Sequence, residues 1–582
     1  MSLFQAPPFA ALSYCWGNLS DKASITVNGQ EVRVTVNLHS ALKRLREERV
    51  QRIWVDALCI NQQDDEERSY QVKRMDTIFQ QANQVVVWLG DTDDMTKEDI
   101  NSLSTKDAAA KDAAAKADAA KAADAKAADA AADEYAAEYA AKATAKDAAA
   151  KDAATIHQVW SDLAQPALLR LLLRPYWTRV WIIQELAVAS KITVFCGDYK
   201  FSWEDFENLS PLTFTAGIDR TDSDDSKAIF QNLLQFRIDR LATKPVRLLE
   251  TLYRSRYALS TDPKDKIYGL LGLAHDGRAL IPEPNYSQSV KETYTDFSKG
   301  LIKKCFPLDL IYLRTSHRGI SDSLPSWVVD WRDLNDALAK QGFKRIQASI
   351  KSDLSNQPDQ ASFSNNKLTV RGIIRGTIDG MGSAFFADGN NIMGHVVPPE
   401  GVSSVPLDFD PSTYVFNALL ETQRSPATTT ELPLNPIGLW SSNKKTELEK
   451  LFRGYIKPNE LEALSKWIDA NRSFIAFGKT LGIWNGIWTS QPMNTDRNTR
   501  QDTYLRLLVN IILTGMRIAT LRTGELGWVH PQSQKGDTLC EVLGCDSYVV
   551  LRPAMTSFQV VGEARFAGGP VLSNKVENLT IF

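Results

Sequence analysis

The chain has 582 residues and a formal net charge of only −3 at pH 7. This length is sufficient for two or more domains, each with its own hydrophobic core. The nearly balanced charge provides no basic footprint of the kind that binds nucleic acid, so we expect no nucleic-acid partner.

Cysteine and histidine usage argues against a metal site. The six cysteines are scattered through apolar stretches, the histidines are isolated, and no cysteine pair has the spacing of a zinc site. We therefore expect reduced thiols, no bound metal and a cytoplasmic location. Because we find neither a signal-peptide pattern nor an apolar stretch of membrane-spanning length, we also expect no membrane insertion.

A compositional anomaly interrupts the chain at residues 105–154, which consist mostly of alanine, lysine and aspartate, with Asp-Ala-Ala-Ala-Lys units at both ends. Repeats of this kind form semi-rigid helical linkers that have no apolar face to bury. We interpret the segment as an engineered spacer without chemistry, and a natural low-complexity insertion is the alternative. The spacer interrupts a first domain that we place at residues 1–205.

The first domain is predicted to alternate between strands and helices. Short apolar runs predict strands at Phe9–Ser13, at Ile53, at Val85–Leu89 and at Ile192–Phe195. Helical patterns are found at Leu38–Arg49, after the acidic cluster of residues 64–67 with Val72, Met75, Phe79 and Ala82 buried, at Leu163–Leu173 and at Trp177–Ala189. This alternation predicts an α/β fold with a parallel sheet.

A second region, residues 206–582, is predicted to be a mixed α+β region. Helical periodicity extends over residues 229–271. Later segments alternate or run apolar between glycines and predict antiparallel strands at residues 368–378, 518–529, 538–543, 548–551 and 558–566.

Polar and aromatic residues follow the predicted strands and suggest a ligand site. Ligands of α/β sheets collect at the carboxyl ends of the strands, where Ser13, Trp16, Asp56 and Asn61 are expected. On the helix predicted at Trp177–Ala189, Trp181 and Glu185 are four residues apart and share one face, so the indole would partly desolvate the carboxylate.

Three blocks of sequence carry a family resemblance. These blocks are Leu-Ser-Tyr-Cys-Trp-Gly at residues 12–17, Trp-Val-Asp-Ala-Leu-Cys-Ile-Asn-Gln at residues 54–62, and Arg174, Trp177, Arg179, Trp181, Gln184 and Glu185. In this order they resemble the fungal heterokaryon-incompatibility (HET) domain. The segments Ser260–Gly272 and Leu324–Trp327 look like sequences that commonly follow this domain.

The HET domain is in turn similar to Toll/interleukin-receptor (TIR) domains, some of which cleave NAD+. The resemblance implies a TIR-like, flavodoxin-like parallel sheet and an NAD+ nucleosidase that uses NAD+ as its substrate and needs no cofactor. The Trp-x-x-x-Glu frame of the NAD-cleaving TIR domains resembles Trp181 and Glu185 here, which makes Glu185 the predicted catalytic residue. Asp56 is the second catalytic candidate.

The expected chemistry is cleavage of an N-glycosidic bond. Nicotinamide leaves NAD+ as a neutral molecule, and one carboxylate stabilises the positive charge that remains on the ribose. We expect aromatic side chains to stack on the dinucleotide and an arginine to bind its pyrophosphate. The predicted substrate-binding residues are Ser13, Tyr14, Trp16, Gly17, Asn61, Arg174, Arg179 and Trp181.

Structural interpretations compete with these roles. Glu185 is alternatively a surface residue that pairs with Arg179 or Lys191, and Asp56 is alternatively the cap of a turn. A serine-nucleophile triad is disfavoured because Ser13 has no histidine at a suitable spacing.

Two hypotheses of function therefore remain. In the first, the chain is an NAD+ glycohydrolase that kills the cell during fungal nonself recognition, is activated by homo-oligomerisation and responds to a separate sensor or incompatibility partner. In the second, it is a noncatalytic TIR-like module that transmits a death signal by assembly.

Overall fold

The structure is a computed structural model that describes residues 7–93, 97, 171–204, 206–207, 223–304, 308–313, 324–332, 334, 342, 346, 361–386, 390–400, 415, 418–419, 458–484, 508–566 and 575–582. The chain divides into two compact units, Met1–Ser287 and Gln288–Phe582. The spacer predicted at residues 105–154 lies outside the described residues, as does most of the helix predicted at Leu163–Leu173.

The first unit is built on a five-stranded sheet. Its strands are β1 (Ala10–Tyr14), β4 (Ile53–Trp54), β5 (Gln84–Trp88), β6 (Ile192–Cys196) and β7 (Tyr199–Ser202). They lie in the order β4-β1-β5-β6-β7, in which the first four strands are parallel and β7 pairs antiparallel with β6. The four predicted strands and their parallel arrangement are thus confirmed, and the β7 strand was not predicted.

The helices between the strands follow the predicted apolar patterns. They are α1 (Val36–Glu47), α2 (Asp56–Cys59), α3 (Asp65–Val72) and α4 (Met75–Gln81). The helix predicted after the acidic cluster is divided between α3 and α4, and Asp64 accepts hydrogen bonds from two backbone N–H groups at the beginning of α3. The predicted inward-facing side chains Val72, Met75, Phe79 and Ala82 are all buried.

A hairpin that the sequence analysis overlooked lies between β1 and α1. It pairs β2 (Lys22–Val27) with β3 (Gln30–Thr35) in antiparallel register. The two residues of its turn, Asn28 and Gly29, both have positive φ angles. Asn-Gly is the sequence signal of a two-residue type I′ hairpin turn, so this element was predictable from the sequence.

Further helices complete the first unit. They are α5 (Trp181–Ala187), α6 (Ser223–Leu241), α7 (Leu248–Arg254), α8 (Asp265–Tyr268) and α9 (Gly277–Leu280). The single helix predicted at Trp177–Ala189 is instead a 3₁₀ turn, Pro175–Thr178, followed by α5. The backbone is extended at Arg179 between them, where it forms a parallel bridge with Leu259.

The second unit contains helices and a largely antiparallel sheet. Its described helices include α10 (Val290–Lys303) and α11 (Pro458–Asn471), and a 3₁₀ turn is formed by Leu308–Tyr312. Its strands are β8 (Ala361–Ser364), β9 (Lys367–Met381), β10 (Ala384–Phe386), β11 (Asn391–Met393), β12 (Ile475–Ala476), β13 (Lys479–Thr480), β14 (Arg517–Leu521), β15 (Leu526–Val529), β16 (Thr538–Val542), β17 (Tyr548–Ala554), β18 (Ser557–Phe566) and β19 (Glu577–Ile581). The predicted antiparallel strands are confirmed, whereas the predicted helical stretch of residues 229–271 lies in the first unit.

Six of these strands close on themselves. The pairings run from β9 through β14, β15, β18, β17 and β16 and return to β9, and all of them are antiparallel. One cluster of buried side chains has contributions from all six strands: Ile378, Met381, Ala519, Leu521, Val529, Leu539, Val550, Val561 and Ala564. A closed ring of this kind leaves none of its six strands at an unpaired edge.

Candidate functional site

The first unit brings a carboxylate to the carboxyl end of β1. Glu185 on α5 is only 3% exposed, and Ser13 on β1 is fully buried. The Ser13 hydroxyl donates a hydrogen bond to Glu185 Oε2 and lies 2.7 Å from the Tyr176 hydroxyl. A buried glutamate held in this way does not lie on a solvated face, so the surface interpretation of Glu185 is wrong.

The environment of Glu185 raises its pKa to about 7. Burial is the main cause, because it disfavours the charged form, and the nearby charge of Asp56 acts in the same direction. The positive charge of Arg179 and the hydrogen bond from Ser13 oppose the shift. The carboxyl group can therefore exchange its proton near neutral pH.

Arg179 carries the positive charge of the site. It lies in the extended segment before α5, and its Nη1 donates a hydrogen bond to the Tyr14 carbonyl at 2.5 Å. Burial lowers the pKa of Arg179, but the negative charges around it, above all that of Glu185, outweigh this effect. The net shift of the pKa is upward, so the guanidinium remains charged. The side chain is thus fixed next to both carboxylates rather than free in solvent.

Asp56 forms the partly exposed side of the site. Its Oδ2 accepts a hydrogen bond from Trp16 Nε1 at 2.8 Å, and its Oδ1 accepts one from the Ala57 backbone N–H at 2.7 Å. Burial raises the pKa of Asp56, whereas Arg179 and the hydrogen bonds lower it. Asp56 is the first residue of α2 and bonds the backbone of the next residue, whereas the predicted cap near Leu58 is not formed, since Val55 is the N-cap and no side chain caps this helix.

Tyr14 and Tyr176 enclose the charged groups. Both are buried, and burial raises the pKa of each phenol well above its ordinary value. Tyr14 interacts with Asp56, and Tyr176 lies close to Glu185. Tyr176 was not predicted from the sequence, because it directly precedes the core residue Trp177 and nothing in the local pattern distinguishes it from another core aromatic.

The other predicted site residues make their observed contacts elsewhere. Gly17 is exposed, with φ of +73°. Asn61 is an exposed turn residue whose side chain accepts from the Gln63 backbone N–H at 3.2 Å. Arg174 donates to the Asp91 carbonyl at 2.8 Å.

Trp181 also has a partner outside this cluster. Its indole Nε1 donates to Asp265 Oδ2 at 3.0 Å. The structure thus brings together Ser13, Tyr14, Trp16, Asp56, Arg179 and Glu185 from the predicted set, and it adds Tyr176.

Among the described residues, no group of three or more His, Cys, Asp or Glu side chains that could hold a metal ion comes together. Nor do the ranges covered by the structure include a helix of the length and apolarity that crossing a membrane requires. What the site offers chemically is a buried carboxyl group that titrates near neutral pH, next to a fixed cation and a second carboxylate. A carboxyl group perturbed in this way marks a candidate functional site, because catalytic acids and bases depend on such shifts.

The fold and the site define an α/β domain with a buried glutamate at the carboxyl edge of a parallel sheet. Residues 9–185 match the family model described as Heterokaryon incompatibility protein (HET). The chain therefore contains a HET domain, and the resemblance found in the sequence is confirmed. Glu185 is the last residue of the match, and Ser13, Asp56 and Arg179 lie within it.

A curated relative supports the same family. The chain is 27% identical over 423 residues to Heterokaryon incompatibility protein 6, OR allele, of Neurospora crassa, an alignment that covers 65% of this chain. The alignment spans 60% of the length of that relative. No solved structure matches the chain.

Proposed function

We propose that this chain is an NAD+ glycohydrolase in which Glu185 promotes release of nicotinamide. The observation that carries the proposal is the burial of the Glu185 carboxyl group beside Ser13, Tyr176 and Arg179. A site that only stabilised the fold would gain little from an acid in this position, because ionisation of a buried carboxyl group is costly.

The proposed reaction breaks the bond between the nicotinamide nitrogen and the ribose anomeric carbon. The bonding electrons leave with nicotinamide, which departs as a neutral molecule and needs no proton from an acid. The ribose then carries an oxocarbenium charge, which the ionised Glu185 stabilises. Water or the adenine of the same molecule completes the reaction by attacking the anomeric carbon, and an attacking water gives up one proton to solvent. We assign the orientation of that nucleophile to Asp56.

Substrate binding is assigned to the partly exposed residues. The Trp16 indole is held by Asp56 and offers an aromatic face for stacking. Arg179 has a guanidinium suited to phosphate oxygens, and its charge also favours the ionised form of Glu185. The roles of Gly17, Asn61, Arg174 and Trp181 in substrate binding stay predictions.

The strand order supports a TIR-like fold as part of this proposal. Counted along the chain, the sheet strands lie in the order second, first, third, fourth, fifth. This is the order of flavodoxin-like sheets, whose ligands bind at the carboxyl edge of the strands. Glu185 contacts Ser13 near the carboxyl end of β1, and Asp56 follows the carboxyl end of β4.

The biological role follows from the family and is proposed at the level of the whole protein. The name of the curated relative refers to heterokaryon incompatibility. We propose that this chain acts in nonself recognition, where depletion of NAD+ in the cytoplasm kills the cell. We expect homo-oligomers to be the active form, with a separate protein acting as the sensor.

The alternative function is a noncatalytic module that signals by assembly. It is favoured by one specific observation: Ser13 and Glu185 are so deeply buried that a substrate must displace the surrounding side chains to reach them. In the enzymatic proposal, oligomerisation drives that opening. In the alternative, the cluster is a structural element throughout.

Nicotinamide release by the purified full chain distinguishes the two functions. We would compare the wild type, Glu185→Gln, which keeps the shape of the side chain, and Glu66→Gln, which changes an exposed glutamate on α3. Each protein is incubated with NAD+ after its oligomeric state has been determined by light scattering. Release by the wild type and Glu66→Gln alone supports the proposal.

The other outcomes contradict it in different ways. Equal release by all three proteins means that Glu185 is not the catalytic residue. Absence of release from wild-type oligomers as well as monomers favours the assembly module.

A further inference from the structure

We infer that Asp265 is a positioning residue that holds the Glu185 helix, α5, in place through the Trp181 indole; the inference rests on the proposed catalytic role of Glu185. Asp265 lies in the segment Ser260–Gly272, about 80 residues beyond the end of the HET match. The proposed reaction itself assigns no role to this segment.

The Asp265 carboxylate is buried and both of its oxygens are occupied. Oδ2 accepts a hydrogen bond from Trp181 Nε1 at 3.0 Å, and Oδ1 accepts one from the Tyr286 hydroxyl at 2.5 Å. Burial raises the pKa of Asp265, and the two donors oppose that shift. Because its partners are side chains of the same unit, this carboxylate acts on its neighbours rather than on a ligand.

Trp181 connects Asp265 to the site. It is the first residue of α5, and Glu185 lies one turn later on the same face. The helix has only seven residues, and no side chain caps its beginning. A helix this short has little stability of its own, so its orientation depends on its tertiary contacts.

Contacts at Leu259 and Gly272, on either side of Asp265, also hold α5 and the residues before it. Before the helix, Leu259 exchanges backbone hydrogen bonds with Thr178 and Val180, at 2.5 and 2.8 Å. Within the helix, the Gln184 side chain accepts from the Gly272 backbone N–H at 3.1 Å. Unlike the contacts of Leu259 and Gly272, the contact of Asp265 is made by an ionisable side chain. This side chain binds Trp181, which lies one turn before Glu185.

Loss of the Asp265 acceptors should therefore displace Glu185. Without them the indole N–H of the partly buried Trp181 loses its acceptor, and the lost hydrogen bond favours a rotation of the first turn of α5. Rotation moves Glu185 away from Ser13 without touching Trp16 or Asp56. We expect kcat to fall about 10- to 100-fold while KM changes little, as for small misplacements of a catalytic group.

The test uses four variants of the full chain. Asp265→Leu removes both acceptors with little change in size. Asp265→Asn keeps an oxygen that accepts from Trp181, and its NH₂ group can donate to the Tyr286 hydroxyl oxygen. Trp181→Phe removes the indole donor and keeps an aromatic ring. The double variant Asp265→Leu with Trp181→Phe completes a double-mutant cycle.

We expect Asp265→Leu and Trp181→Phe to lose similar fractions of kcat, and Asp265→Asn to retain activity within about threefold of the wild type. The double variant should lose no more than either single variant, because both remove the same hydrogen bond. Multiplicative losses in the double variant, or an unchanged kcat in Asp265→Leu, overturn the inference. If the Asp265→Leu variant does not fold, the kcat of Trp181→Phe becomes the test, and an unchanged kcat in that variant overturns the inference.

A second readout needs no enzymatic activity. The free energy of unfolding is measured against pH for each background and for the same background with Glu185→Gln. The difference between the two curves reports the ionisation of Glu185. In the Asp265→Leu and Trp181→Phe backgrounds we expect its midpoint to fall by about one pH unit or more, because a displaced carboxylate is better solvated. An unchanged midpoint contradicts the inference. Absence of nicotinamide release from the wild type contradicts only the proposed function, since this titration still tests the role of Asp265.

Discussion

The Ser13 hydroxyl donates a hydrogen bond to the Glu185 carboxylate, although the two residues are 172 positions apart in the chain. Ser13 lies on β1, an inner strand of the five-stranded sheet, and Glu185 lies on α5, which directly precedes β6. The hydrogen bond therefore joins an inner strand of the sheet to the short helix that carries the proposed catalytic group. Changes at either residue should be detectable in the ionisation of Glu185.

Glu185 should make the stability of the protein depend on pH. Its pKa is about 7 in the folded chain and close to 4.5 when exposed, so the folded state binds more protons between these values. Stability from this group therefore falls as pH rises from about 4.5 to 7, by roughly 3 kcal/mol in total. Relative to the wild type, Glu185→Gln should gain stability over this range, as measured by urea unfolding at pH 5 and pH 8. Parallel pH profiles of the two proteins would contradict the prediction.

Ser13→Ala should raise the pKa of Glu185 further. The Ser13 hydroxyl donates to the carboxylate and so favours its charged form, and alanine cannot. The midpoint of the Glu185-dependent change in stability should move to higher pH. Tyr176→Phe is the matched control, because it removes the other partner of the Ser13 hydroxyl and leaves the bond to Glu185. A midpoint that moves equally in both variants would show that the direct hydrogen bond is unimportant.

Asp64→Ala should destabilise the first unit by about 1 kcal/mol, the usual effect of losing an N-cap. Asp64 Oδ1 accepts from the backbone N–H groups of Glu66 and Glu67, at 3.0 and 3.1 Å. Asp65→Ala removes an equal charge from the first turn without removing the cap, so it should cost only a few tenths of a kcal/mol. Chemical unfolding of the two variants measures the difference. Equal losses would attribute the effect to charge alone.

Gly272→Ala should be strongly destabilising. A Cβ at this position would lie 2.5 Å from Asp76 Cβ and 2.8 Å from Gln184 Oε1, so the backbone or α4 must move. We expect a loss of about 1–3 kcal/mol, as for other overpacked cores. At Gly376 the nearest atom is the flexible Leu521 Cδ1 at 3.1 Å, so Gly376→Ala should cost less. Similar unfolding midpoints for the two variants would mean that the Gly272 segment adjusts freely.

Much of the first sheet was predictable because its signals are local. The apolar runs that form β1, β5 and β6 are short and buried, and α1 shows its buried face at Leu38, Ala41 and Leu45. The Asn28-Gly29 turn carried an equally local signal that was not used. The division of the second predicted helix at Lys73 and Arg74 could not be read from periodicity, because the apolar pattern continues across it.

The grouping of site residues was predicted only in part. Ser13, Trp16 and Asp56 follow strands of a parallel sheet, so their proximity follows from topology. The helix that carries Glu185 was also predicted. The hydrogen bond from its Trp181 indole to Asp265 was not, because the indole was expected beside the Glu185 carboxylate. That partner is 84 positions away and lies in a segment with no periodic relation to α5.

By itself, the sequence determined the strands and helices of the first sheet, the antiparallel strands of the second unit and the HET family of residues 9–185. These depend on local periodicity and on contiguous motifs. Only the tertiary structure decided that Glu185 is buried against Ser13 and Tyr176, that Arg179 is fixed beside it, and that Asp265 holds Trp181. The physical reason is that desolvation and charge depend on neighbours brought together across long stretches of chain, which no local pattern encodes.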